Sequence, residues 1–137
     1  SHKTSPYDEN EHYDTISAFI KSMRASLERD ALHYFARMIN GGEDPLFIAR
    51  RLVIFASEDI GLADPMALTI ATQTYRAVET LGLPEARINL GHAVVYMSRA
   101  SKSREAYNLT EQALKEVREN QNRPIPNHLR NYRIPEV

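Results

Sequence analysis

Apolar side chains recur along this chain at intervals of three and four residues, the signature of amphipathic helices. Ile16, Phe19, Ile20 and Met23 predict a first helix from about His12 to Arg24, with Asp14 available as its N-cap. Leu32, Phe35, Ala36 and Ile39 predict a second from about Arg29 to Ile39, stopped by Gly41-Gly42. Asp44-Pro45 then opens a third, because aspartate accepts from first-turn amides and proline suits the first helical position. This helix should run from Pro45 to about Ile60 and stop at Gly61. Leu46, Ala49, Val53, Ala56 and Ile60 form one seam, Ile48, Leu52 and Phe55 widen it, and Phe47 and Ile54 lie on the other flank. A helix apolar around most of its circumference is normally buried, so the third is read as the one the others pack around.

The same punctuation continues downstream. Asp64-Pro65 opens a fourth helix to about Leu81, with Ala67, Ile70, Ala71, Thr74 and Val78 on one stripe and Gly82 at its end. Pro84 opens a fifth, apolar through Ile88, Leu90 and Ala93 to Met97. Gly91 within it costs about 1 kcal/mol relative to alanine, and close approach of another helix is its expected use. Ser103 can cap a sixth helix to about Asn120, whose apolar face is Leu109, Ala113, Leu114 and Val117. No stretch alternates with period two between turn signals, so no strand is predicted. The expected fold is an all-α, compact bundle of about six helices with short links. Residues 1–10 read as a flexible lead-in, 11–121 as the helical domain, and 122–137 as a proline-punctuated tail.

Composition narrows the classes. A chain of 137 residues, 42% hydrophobic and 26% charged, is one ordinary globular domain with room for a core. No apolar run is long enough to span a bilayer, and the absence of cysteine removes disulfide and thiolate chemistry. The net charge of −1 does not describe a protein that coats a polyanion, although residues 99–137 carry 8 basic and 5 acidic side chains. The chain starts at Ser1-His2 without an initiating methionine, and is expected to be a fragment or processed form whose chemistry lies in a missing part.

Enzyme motifs are absent from the 137 residues. There is no G-x-x-x-x-G-K-[ST] phosphate loop, no G-x-G-x-x-G and no G-x-S-x-G elbow. The five histidines show no ligand spacing. Glu58-Asp59 is a carboxylate pair, but adjacent helical residues face apart, so it is no acid–base dyad. Its place in a last helical turn opposes the helix dipole. The pair is either solvated, or favours the N-terminus of the next helix, or is held by cations such as Arg50 and Arg51 or by a group on another chain. A direct bond from Arg51 to Glu58 is disfavoured by their separation of about 10 Å along one straight helix. Arg50-Arg51 and the basic C-terminal third are also candidate phosphate or DNA contacts.

The order of the motifs carries more than any one of them. Glu11-His-Tyr-Asp-Thr-Ile-Ser-Ala18, Lys21-Ser-Met-Arg24, Tyr34-Phe-Ala-Arg-Met38, the run from Gly41-Gly-Glu-Asp-Pro45 to Ala56-Ser-Glu-Asp-Ile-Gly-Leu-Ala-Asp-Pro65, Ala93-Val-Val-Tyr96, Lys102-Ser103 and His128-Leu-Arg-Asn131 follow in sequence. This arrangement resembles the C-terminal region of the replication-associated recombination protein A family, whose eukaryotic members include the Werner-helicase-interacting ATPase. Ala25-Ser-Leu-Glu-Arg-Asp30 stands where the family usually has a Gly-Ser-Asp-Pro turn, and Ser101 where it usually has proline.

The resemblance implies an AAA+ ATPase related to clamp loaders that acts at stalled or damaged replication forks. Its ATP and magnesium would lie in an N-terminal region, and this part would resemble the clamp-loader collar and assemble as a homotetramer. Implied partners are the chain itself, DNA through the parent protein, and replication proteins, with no membrane. A bacterial member would be cytoplasmic and nucleoid-associated. Arg50, Arg51, Glu58, Asp59, Lys102, His128, Arg130 and Asn131 are the candidate interface or anion contacts, and no catalytic, metal or cofactor residue is assigned in the chain. The missing phosphate loop predicts that this chain alone neither binds nor hydrolyses ATP. ATP turnover that tracks with the purified chain through chromatography would contradict that.

Overall fold

Asp8 begins the first helix: its carboxylate accepts from the Glu11 amide at 2.9 Å, and α1 runs Glu9–Arg24. Glu9 and Glu11 in the first turn and Lys21 and Arg24 in the last suit the dipole. The helix therefore starts ahead of the expected His12, because Asp8 and not Asp14 is the cap. The computed structural model describes residues 7–119 and 123–135; of the lead-in expected at residues 1–10, residues 1–6 lie outside them, and Asp8, Glu9 and Asn10 belong to the cap and first turn of α1.

At the end of α1, Ser26 takes φ +62°, the Ser26 amide donates to the Met23 carbonyl, and the Leu27 amide donates to the Ser22 carbonyl at 2.9 Å. This wrapped ending usually places glycine at the left-handed position, and here serine occupies it. α2 follows as Glu28–Asn40. At its end Gly41 lies against the Tyr7 ring, where a Cβ would come within 2.3 Å of the ring carbon Cγ, so only glycine fits. The Tyr7 hydroxyl donates to Glu43 at 3.2 Å, and burial, reinforced by Glu43, pushes its pKa up to about 12.

Asp44 and Pro45 open α3, Pro45–Phe55, with the Asp44 carboxylate accepting from the Leu46 amide at 2.9 Å. The helical path continues to Ile60 as expected but changes pitch, becoming a π-turn over Ala56–Ile60 and a 3₁₀ turn over Gly61–Ala63. Gly61, at φ +48°, makes that reversal. α4 is Met66–Leu81, its first amide bonded to Asp64 at 3.0 Å. The other Asp64 oxygen accepts from the Tyr96 hydroxyl at 2.7 Å, tying the start of α4 to α5, Ala86–Arg99. This bond is the first cause of the raised Tyr96 pKa. α6 is Glu105–Arg118, with Ser103 accepting from the Glu105 amide at 3.2 Å. The fold is all-α, with no strand among the described residues.

The described residues up to Tyr107 form one compact unit, and those from Asn108 onward a second. In the first, α5 packs against α1, α2, α3 and α4, whereas α3 packs chiefly against α4 and α5. The central helix is thus the fifth, not the third. α5 buries Leu90, Ala93, Val94, Met97 and Ser98, and its small residues let neighbours approach from several sides. α3 buries one row, Ile48, Ala49, Leu52 and Phe55, continued by Ala56 of the π-turn, while Leu46 and Val53 of the expected seam are half-buried and Ile54 is exposed. Each fully buried large side chain contributes about 1.5–3 kcal/mol by area.

The second unit contains most of α6 and the tail. No described side chain of α6 is buried. In the tail a 3₁₀ turn, Asn127–Leu129, is closed by the Asn127 side chain, which accepts from the Ile134 amide at 3.1 Å and donates to its carbonyl at 3.4 Å.

Serine in the left-handed region costs about 1 kcal/mol, but Ser26→Gly also adds unfolded-state entropy and removes the Ser26 Oγ that accepts from Lys102 Nζ at 3.2 Å, a bond contributing about 0.5–1.5 kcal/mol, so the variant should stay within about 1 kcal/mol of the parent chain. Urea denaturation measures this, and a loss above about 2 kcal/mol would contradict it.

Candidate functional site

The Asp59 carboxylate is 3% exposed in the π-turn. A buried charge is tolerated only when paired and hydrogen-bonded. Its Oδ1 accepts from Arg24 Nε of α1 and from Arg104 Nη1 of the segment before α6, both at 2.8 Å. The Asp59 carbonyl accepts from the Ser103 amide at 2.9 Å. Arg104 also lies 3.6 Å from Glu58 and stacks over the Tyr107 ring at 4.4 Å. Its hydrogen bond to Asp59 is the main cause of its raised pKa. One carboxylate therefore joins α1, the π-turn and the entrance to α6. Such an aspartate is an organiser, its Oδ1 shared by two guanidinium groups.

The expected cations are not the ones found. Glu58 and Asp59 are held by cations of the same chain, but by Arg24 and Arg104, not by Arg50 or Arg51. Arg50 is exposed on α3, and Arg51 is half-buried, its Nε without a hydrogen-bond partner among the described residues. Lys102 donates to the Ser98 carbonyl at 2.9 Å, the Ala100 carbonyl at 2.5 Å and Ser26 Oγ at 3.2 Å. It caps the C-terminal end of α5, and burial lowers its pKa against the opposing pull of Asp59. Its ammonium is committed to the fold. His128, Arg130 and Asn131 belong to the second unit. There Arg130 Nε donates to the Ile125 carbonyl at 2.8 Å, and His128 and Asn131 are exposed. The eight candidates thus do not form one site: Glu58, Asp59 and Lys102 cluster, and the rest are dispersed.

A second feature of the first unit was not anticipated. Between α2 and α5 lies an open groove of about 770 Å³, walled by Leu32, Phe35 and Ile39 on one side and Ile88, Gly91 and Val95 on the other. Ile88 is 66% exposed. Gly91 does not serve a tight helix contact, because a Cβ there would meet Leu32 at 3.9 Å and Phe35 at 4.0 Å, ordinary van der Waals separations. It leaves the groove floor open. Arg87, His92 and Asn40 form its polar rim. Among the described residues no group of three or more acidic or histidine side chains is placed to hold a metal ion. No described helix is long and apolar enough to cross a membrane.

The first unit is thus helical, organised by a structural ion-pair hub, and presents an apolar groove. The family described as "MgsA AAA+ ATPase C terminal" matches residues 26–136, and the chain belongs to it. Among its relatives, an uncharacterized protein of Thermotoga maritima is 53% identical over 127 residues, covering 93% of this chain and 20% of the relative. The replication-associated recombination protein A of Escherichia coli is 41% identical over 119 residues, covering 87% of this chain and 27% of the relative. The ATPase WRNIP1 of Dictyostelium discoideum is 39% identical over 119 residues, covering 87% of this chain and 14% of the relative. This chain therefore spans between a seventh and about a quarter of these proteins. It corresponds to the C-terminal domain of the recombination protein A family of AAA+ ATPases.

Asp59→Ala would leave Arg24 and Arg104 without their shared carboxylate. Breaking a buried pair costs about 3–5 kcal/mol, but both arginine side chains are over a third exposed and can resolvate, so we expect about 2 kcal/mol of destabilisation. Chemical denaturation tests this, and a loss below about 0.5 kcal/mol, the size of an ordinary surface change, would contradict the hub.

Proposed function

We propose that this chain is the self-association domain of a AAA+ ATPase that works in replication-associated recombination, and that it assembles as a homotetramer. The carrying observation is the apolar surface left open on the first unit, the α2–α5 groove with Ile88 at its edge. Contiguous exposed apolar surface rimmed by polar groups marks an interaction site. Closed symmetry buries such surface without leaving open ends, and each interface should cover more than about 1,000 Å². The printed names of the relatives supply the process, and on this reading ATP and magnesium bind another part of the parent protein, which the missing phosphate loop supports. DNA is reached through that parent, in the cytoplasm of a bacterial source, and replication proteins are further partners.

A second reading, DNA contact by the basic tail, has one observation in its favour. Residues 123–135 hold Arg123, His128, Arg130 and Arg133 with no acidic residue, and Tyr132 is 72% exposed. Arginine beside an exposed aromatic suits single-stranded nucleic acid. The commitment of Lys102 and Arg130 to carbonyl groups weakens that reading.

Sedimentation equilibrium across a concentration series should give a mass of four chains that persists at high salt, because apolar contacts do not depend on counterion release. A monomer at tens of micromolar protein would contradict self-association. If that monomer bound DNA with an affinity falling steeply with salt, the second reading would replace the first.

A further inference from the structure

We infer that the groove between α2 and α5 receives α6 of a second copy of this chain; the inference rests on the self-association reading above. Helix α6 carries Leu109, Leu114 and Val117, which are 56%, 51% and 60% exposed, with Ala113 between them. A helix of this length is marginal in water by itself and needs its apolar face packed. The groove offers the matching surface.

The dimensions agree. From Leu109 to Val117 the stripe is about 12 Å long, and the groove walls from Ile88 to Val95 and from Leu32 to Ile39 are each about 10 Å at 1.5 Å per residue. An open apolar channel between two helices is the standard receptacle for the apolar face of a third.

Charge supports the same occupant. On the helical wheel Glu105 and Glu116 lie along one edge of the α6 stripe. The groove rim carries Arg87 and His92, both exposed, and no carboxylate. An acidic edge against a basic rim fixes direction and favours this helix over others. Each copy holds one groove and one α6, so a two-fold axis pairs them reciprocally and duplicates the contact. Joining two such pairs into a tetramer requires a second contact on another face.

The absence of cysteine makes the test direct. One full chain carries His92→Cys on the groove rim and another Ala113→Cys in the stripe, both at exposed positions. Mixed and treated with a short bis-maleimide, they should give a cross-linked heterodimer. Ile88→Glu, and independently Leu114→Glu, should weaken assembly more than tenfold in sedimentation equilibrium while leaving the helical circular dichroism unchanged. Wild-type assembly without the heterodimer, or with undiminished association of both glutamate variants, overturns this inference and leaves self-association standing. Cross-linking confined to single chains carrying both cysteines overturns it in favour of the chain's own α6. A monomeric wild-type chain defeats both proposals.

Discussion

A carboxylate removed from water must be paired, and that constraint at Asp59 shapes much of the first unit. Ile48, Leu52, Phe55 and Asp59 follow at four-, three- and four-residue spacing, so the row that buries the apolar residues also buries the aspartate. Arg24 comes from 35 residues upstream and Arg104 from 45 residues downstream to meet it. Their guanidinium groups remain partly in water, which limits the desolvation penalty to the carboxylate side. Such a pair adds little net stability over an apolar replacement, but it fixes which segments meet. The π-turn that carries it is a geometry found often at functional positions, and here it positions an anchor.

With the hub holding α1, the π-turn and the approach to α6, α5 can serve as the axis of the bundle. Its small residues Ala93 and Ser98 are buried, so four helices pack around it. The same helix turns Ile88, Gly91 and Val95 toward the α2–α5 groove. Stability and the proposed assembly surface thus share one element on different faces. The division explains why Glu58, Asp59 and Lys102 are structural: the charged groups near Asp59 are used within the chain, while the α2–α5 groove is left apolar.

Local signals in the sequence were legible where the chemistry is local. Asp44-Pro45, Asp64-Pro65, Ser103 and Gly61 mark helix boundaries through caps and backbone freedom, and the structure places boundaries beside each. Asp8 was missed because Asp14 has the same chemistry, and only the position of the first buried residues, Thr15 and Phe19, shows that a further turn fits. The partners of Asp59 were not legible, since periodicity does not report which distant arginine returns to a given helix. A signal was nevertheless present, as the spacing Ile48-Leu52-Phe55-Asp59 puts a charge in a buried row. The third helix was overrated because apolar circumference counts faces and not neighbours: Phe47 and Ile54 are apolar, yet Ile54 is 41% exposed. The groove lies beyond sequence reading, because it depends on how far α2 stands from Gly91.

The central claim is that apolar surface exposed on one copy is covered by another. Hydrogen–deuterium exchange of α6 amides as a function of protein concentration addresses it most directly, since a 14-residue helix exchanges quickly unless packed. The account predicts fast exchange in dilute protein and strong protection when concentrated, with the α2 and α5 groove residues changing in parallel. Exchange in α6 that is the same at every concentration would contradict it.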